Sequence, residues 1–204
     1  MTLIVKNNVK KYDKLYSAGQ NHKYPNLNLV RIQRKYLSKN IGKTLDFGFG
    51  TGENLIFLAK EGHEVYGLEG SKEAVKIVNK KIYNTNIKSK IKLLHFNNYK
   101  KLPFKKDFFD NIICLSVLSL LGNKKNVIEL IKEFERVIKK NGKIVIDING
   151  PKGDFAKLRN LYCPKTKFLF LKLFDGLDVE ETGEVYTNYF DVNDHEFIAF
   201  LTKK

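Results

Sequence analysis

Three glycines at alternate positions, in the run Leu45-Asp46-Phe47-Gly48-Phe49-Gly50-Thr51-Gly52-Glu53-Asn54, constrain this chain more than any other feature. An apolar stretch from Lys43 to Phe49 leads into them. Leu55, Ile56, Leu58 and Ala59 recur behind them at helical spacing, so the run reads as a strand turning into a helix. Glycine removes the Cβ atoms that would hold a ligand off the backbone, and the first amides of the helix are free to face its oxygens. The spacing, D-x-G-x-G-x-G, differs from the G-x-G-x-x-G of dinucleotide loops. Alone, a tight turn with no ligand explains it too. The downstream acid shifts the balance: Glu69 ends a second apolar run, Glu64-Val65-Tyr66-Gly67-Leu68, 23 positions after Asp46. Nucleoside-binding folds place a ribose-binding carboxylate at about that offset, roughly 20 residues.

The rest of the chain alternates in the same manner. Ser71 can cap a helix carrying Ala74, Val75, Ile77 and Val78. Lys90 to Phe96 reads as a third strand and Phe109 to Val117 as a fourth, nearly all apolar as a strand covered on both faces should be. Val127, Leu130, Ile131, Phe134, Val137 and Ile138 mark an amphipathic helix, which Asn141-Gly142 is expected to end before a fifth strand over 143–148. Such alternation predicts an α/β fold with a doubly wound, mainly parallel sheet. Gly48 to Gly52, Glu69, Asn97, Asn98, Ser116 and Asn149 then all fall at the carboxyl ends of strands, where open α/β sheets bind ligands.

With Leu102-Pro103-Phe104 and Phe109-Asp110-Asn111-Ile112-Ile113 added, the stretch from about Ile41 to Ile148 resembles the class I S-adenosylmethionine-dependent methyltransferases. That resemblance implies a Rossmann-like sheet of seven strands closed by an antiparallel hairpin, for which 178–202 supplies two strand-like runs around Asp191-Val192-Asn193-Asp194. It also implies S-adenosyl-L-methionine as cofactor, with Asp46, Gly48, Gly50, Gly52, Glu69, Gly70 and Ser116 around it. The residue expected near the adenine is an aspartate in many relatives, and here Asn98 stands four residues before Leu102. Its amide oxygen can still accept from the adenine amino group, with Asn97 as an equal contributor and a structural loop asparagine as the alternative.

Residues 1–40 have no place in the core sheet. By resemblance they form a helical lid over a methyltransferase domain spanning 41–204, one domain overall. Tyr12, Tyr16, His22, Tyr24 and Arg31 are its candidate ligand contacts, with Tyr16 and Arg31 on the cofactor and the Arg31 fork suited to its carboxylate. Packed tyrosines and a solvated Arg31 would serve as well. A sulfonium methyl is already activated, so the protein must chiefly align a nucleophile, and a base is needed only for a protonated acceptor. His22, Tyr24 and His195 are the candidate catalytic residues. His95, inside a strand, is expected to be packed, and Asp191 and Asp194 are weaker candidates because an acidic hairpin turn explains them as well.

Composition sets limits. Cys114 and Cys163 are the only cysteines in 204 residues, which suggests neither a disulfide framework nor a metal site. The absence of a long apolar run predicts no membrane span and a cytoplasmic protein. A formal charge of +15 invites nucleic acid, but it is carried by lysines spread along the chain, with arginine only at Arg31, Arg34, Arg136 and Arg159. No Asn-Pro-Pro-Tyr run or Pro-Cys nucleophile follows the fourth strand, where Cys114-Leu115-Ser116-Val117 stands. A small polar metabolite or sugar, methylated on O or N, is the expected acceptor. Methylation of RNA and a regulatory module that binds the cofactor without turnover are the alternatives.

Overall fold

The computed structural model describes residues 2–96, 98–189 and 192–204. Strands β1 (Lys43–Phe47), β2 (Glu64–Glu69), β3 (Ile91–His95), β4 (Phe109–Cys114) and β5 (Ile138–Asn149) are paired in parallel. The strands β6 (Leu177–Tyr189) and β7 (Val192–Lys203) form an antiparallel hairpin, and β7 joins it to β5. The seven-stranded order is β3-β2-β1-β4-β5-β7-β6. The chain steps outward from β1 to β3, then returns to the other side of β1 at β4. A crevice opens at that reversal, above the carboxyl ends of the strands.

Helices cover both faces because both faces of the inner strands are apolar. Leu45, Ile112, Ile144, Ile146 and Phe197 point to the side of α1 (Leu3–Ser17), α5 (Lys124–Val137) and α6 (Lys167–Leu171). Ile113, Val145, Ile198 and Phe200 point to the side of α2 (Leu27–Lys35), α3 (Glu53–Lys60) and α4 (Lys72–Ile82). Caps fall where short polar side chains precede the helices. Ser71 Oγ accepts from the Ala74 amide at 3.1 Å, and the Asn26 side chain accepts from Asn28 and Leu29. Each such cap contributes about 1 kcal/mol.

One expectation changes. Helix α5 ends at Val137, and Ile138 already pairs with Phe109 as the first residue of β5. Asn141, at φ 61°, and Gly142 lie within a shift of strand register rather than at a helix end. The N-terminal stretch is itself a helix, α1, whose polar residues are fastened to the core. Asn8 Nδ2 donates to the Leu120 carbonyl at 2.7 Å. Asp13 Oδ1 accepts from Ser71 Oγ at 2.6 Å and from the Glu73 amide at 3.1 Å, so α1 supplies acceptors to the start of α4.

Candidate active site

The crevice is a cavity of about 900 Å³, at the upper end of the range for ligand sites, roughly 300–1,000 Å³. Its floor is the turn after β1. There the Gly50 amide donates to Glu69 Oε2 at 2.9 Å, and the Ser71 amide donates to Glu69 Oε1 at 2.8 Å. Each carboxylate oxygen keeps a free lone pair, the acceptor set that a ribose diol requires. Burial raises the Glu69 carboxyl above its usual range, and the amides of Ser71, Gly50 and Gly70 oppose the shift.

The three glycines have different reasons. Only Gly50 (φ +53°) faces the opening, where a Cβ would sit 3.0 Å from the Tyr16 hydroxyl. A Cβ on Gly48 would overlap Val117, and one on Gly52 would lie 2.5 Å from Val78 Cγ2, so these two are set by packing. Gly52 is not part of the cavity wall, although Gly48 is. Asp46 lies behind the turn, 2 % exposed, with Oδ2 lacking any partner. Burial, with Glu69 and Glu53 nearby, pushes its carboxyl up to about 8.

Residues ahead of β1 roof this floor. Tyr16, His22, Tyr24 and Arg31 all line the cavity, as do Gly70 and Ser116. The His22 amide donates to Thr51 Oγ1 at 3.1 Å and the Asn26 amide to Asn54 Oδ1 at 2.8 Å. Thr51 Oγ1 in turn donates to Glu53 Oε2 at 2.6 Å, and Lys81 pairs with Glu53 while donating to the Thr51 carbonyl at 2.8 Å and to Asn21 Oδ1 at 2.6 Å. The connection between α1 and α2 is thus pegged to the glycine turn. Burial and the charge of Glu69 raise the hydroxyl pKa of both Tyr12 and Tyr16, which therefore stay neutral donors.

Other predicted residues lie elsewhere. His195 is turned away: on β7 it occupies the sheet face opposite Glu196, 1 % exposed, stacked on Tyr186 at 4.5 Å, with Nε2 2.9 Å from Glu184 Oε1. Its Nδ1 accepts from the Lys152 amide at 3.1 Å. It is a packed structural histidine. His95 is exposed rather than packed, with Nε2 2.9 Å from the Gly70 carbonyl. Asn98 is exposed, is not part of the cavity wall, and accepts from the Lys100 amide at 3.2 Å, the geometry of a turn asparagine. Asn97 and Asp191 lie outside the described residues.

On the opposite wall, sequence reasoning placed Asn149 at the ligand edge and held Asp194 as a weaker candidate, but missed Glu196 and Asp147. Asp194, Glu196 and Asn149 line it, and Asp147 lies beneath. Ser116, in a left-handed conformation at φ 59°, donates its amide to Asp147 Oδ1 at 2.5 Å. One signal was present: Asp147 is the sole charge within Ile144-Val145-Ile146-Asp147-Ile148.

A family model described as a methyltransferase domain matches residues 45–146, from the glycine turn through β5. The chain belongs to the class I S-adenosylmethionine-dependent methyltransferases. An uncharacterized protein of Methanocaldococcus jannaschii is 31% identical over 92% of this chain and 69% of its own length. A demethylmenaquinone methyltransferase of Bacillus subtilis is 32% identical over 67% of this chain, which spans only 57% of that relative. Among solved structures, the N-methyltransferase NodS of Bradyrhizobium japonicum, in complex with S-adenosyl-L-homocysteine, superposes with a TM-score of 0.76 over 97% of this chain and 98% of its own, at 13% identity. A SAM-dependent methyltransferase of Methanosarcina mazei gives 0.69 over 80% and 93%, at 17% identity. At such identities these structures show a shared fold. The family's cofactor, S-adenosylmethionine, fits the residues present: Gly50 leaves the space that a Cβ would fill, and Asp46 holds an unpartnered buried oxygen beside the turn. No helix among the described residues is long and apolar enough to cross a membrane.

Proposed function

We propose that this chain transfers the methyl group of S-adenosylmethionine to a nitrogen or oxygen of a small polar molecule held in the same cavity. The observation that carries this reading is the Gly50 amide seated on Glu69 Oε2, beneath a cavity large enough for donor and acceptor together. When bound, the cofactor supplies a methyl group already activated on a sulfonium. Glu69 would hold the ribose hydroxyls, the turn around Gly50 would run beneath the cofactor, and Asp46, protonated in the protein without ligand, would ionise opposite its cationic end. Tyr16 and the segment through Tyr24 exclude water from above. Water exclusion and alignment are the work such a transfer needs, and alignment alone can lower a barrier by about 7 to 11 kcal/mol in model systems.

Two observations support a small acceptor over RNA. Among the described residues, the charged ones lining the cavity are Glu53, Glu69, Asp194 and Glu196 against the single cation Arg31, an unfavourable mouth for phosphates. The demethylmenaquinone methyltransferases among the relatives are named for a small-molecule acceptor. The test is incubation of the full chain with methyl-labelled cofactor and either a metabolite extract or bulk RNA. Label in a small product is the expected result. Label confined to RNA would replace the reading, and calorimetric binding of the cofactor with no transfer to any fraction would leave a regulatory module in its place.

A further inference from the structure

The far wall of the cavity is acidic in a way that binding of the methyl donor does not use. Asp147 is on β5, and Asp194 and Glu196 are on β7. The antiparallel register sets Asn149 opposite Glu196 and Asp147 opposite Ile198. Opposed residues share a sheet face, as do residues two apart on one strand. All three carboxylates therefore project from one face, the one that also carries Asn149 and Ile198.

Their hydrogen bonds leave charge uncompensated. Asp147, 1 % exposed, uses Oδ1 to accept from Ser116, while its Oδ2 has no partner, and the charges that act on it are those of Glu196 and then Asp194. Asp194 Oδ1 accepts from the His195 amide at 2.8 Å and lies 3.5 Å from Asn149 Nδ2. Among the described residues, no lysine or arginine pairs with any of the three, and Glu196 accepts no hydrogen bond. A buried carboxylate oxygen with no donor is costly, and burial accordingly raises the carboxyls of Asp147 and Glu196, so the cluster holds its full negative charge only when a cation enters. The cavity is the side from which one can come, because Ser116, Asn149, Asp194 and Glu196 all line it.

We propose, resting on the methyltransferase reading above, that Asp147, Asp194 and Glu196 receive the cationic nitrogen of the acceptor, which is an amine. Val185, Leu161 and Phe155, which also line the cavity, suit its carbon skeleton. The step balances without another reactant. The ammonium gives one proton to Glu196, and the freed nitrogen lone pair forms the new N–CH₃ bond. The electron pair of the broken S–CH₃ bond stays on sulfur. The products are a methylated ammonium and S-adenosylhomocysteine. Burial, with Asp194 adding to it, raises the Glu196 carboxyl, which suits it to take that proton.

The test titrates the full chain, saturated with S-adenosylhomocysteine, by calorimetry with a series of primary alkyl- and arylalkylamines, 2-phenylethylamine among them, each against the alcohol of the same skeleton. The best amine should bind at least about tenfold more tightly than its alcohol, the difference expected of a charge-assisted contact. Glu196→Gln should abolish that preference while the affinity for S-adenosylhomocysteine and the circular dichroism stay unchanged, and Asp147→Asn should weaken it. If S-adenosylhomocysteine binds but no amine outbinds its alcohol, or if the preference survives both variants, the assignment is overturned. If S-adenosylhomocysteine itself does not bind, the methyltransferase reading fails first and this one falls with it.

Discussion

Gly50 donates its backbone N–H to Glu69 Oε2 at 2.9 Å, tying the turn after β1 to the end of β2. One carboxylate thus shapes the glycine turn and presents lone pairs to the ligand. Glu69→Ala removes both functions. Cofactor affinity should fall by about 10- to 100-fold, equivalent to roughly 1.5–3 kcal/mol for contacts to a charged group. Calorimetry on the purified variant measures this directly, and an unaltered dissociation constant would refute the role.

Gly50→Val forces a branched side chain into a left-handed backbone at φ +53° and against the Tyr16 hydroxyl. The strain costs about 1–2 kcal/mol, small enough for the chain to fold. Cofactor binding should nonetheless disappear. Retained binding by a folded variant would mean that the turn does not approach the cofactor.

Asp46 gives the protein without ligand a characteristic pH dependence. Its carboxyl is held at about 8 in the fold, against about 3.9 in an unfolded chain. Between those values the folded state keeps a proton that the unfolded state has released. Stability therefore declines as pH rises through that window and levels off above it. Asp46→Asn should flatten the decline and raise the melting temperature at pH 8. Parallel melting curves for the two proteins across the window would disprove this origin.

Asp13 is the link between α1 and the start of α4. Asp13→Ala should cost about 1 kcal/mol, comparable to losing a helix cap. In a chain of this size that is about 2–4 °C in melting temperature. The loss should shrink, but not vanish, in a variant already lacking the Ser71 hydroxyl, because the Glu73 amide still donates to Asp13 Oδ1.

His195 and Tyr24 should separate stability from turnover. His195→Ala leaves a hole beside Tyr186 and strands the Lys152 amide, so a destabilisation of about 2–3 kcal/mol is expected without a specific change in acceptor KM. Tyr24 is 81% exposed at the cavity rim, and Tyr24→Ala should raise acceptor KM with little effect on melting. Steady-state kinetics beside thermal melts would show whether the two effects divide in this way.

The alternation of strands and helices and the floor of the cavity were legible in the chain because they rest on local signals. The glycine turn, the acid ending β2 and the Ser71 cap each need only a few neighbouring residues to be recognised. The wall formed by β7 was not, because β7 is apolar on both faces. Phe197, Ala199 and Leu201 face one helical layer and Ile198 and Phe200 the other, so no alternation announces which face His195 or Glu196 takes. A parity of one residue separates the packed histidine from the acid at the cavity. Helix α5 was overrun for a related reason: Ile138 continues the helical spacing of Val127 to Val137, and only its pairing with Phe109, distant in sequence, starts the strand. In α1, the polar Asn8 hid a buried position whose partner, the Leu120 carbonyl, is 112 residues away.

Thr51 and Asn54 receive the amides of His22 and Asn26, so the cover of the cavity is anchored to its floor rather than to its rim. A molecule that settles against the glycine turn rests on the ground in which those pegs stand, so floor and cover form one mechanical unit.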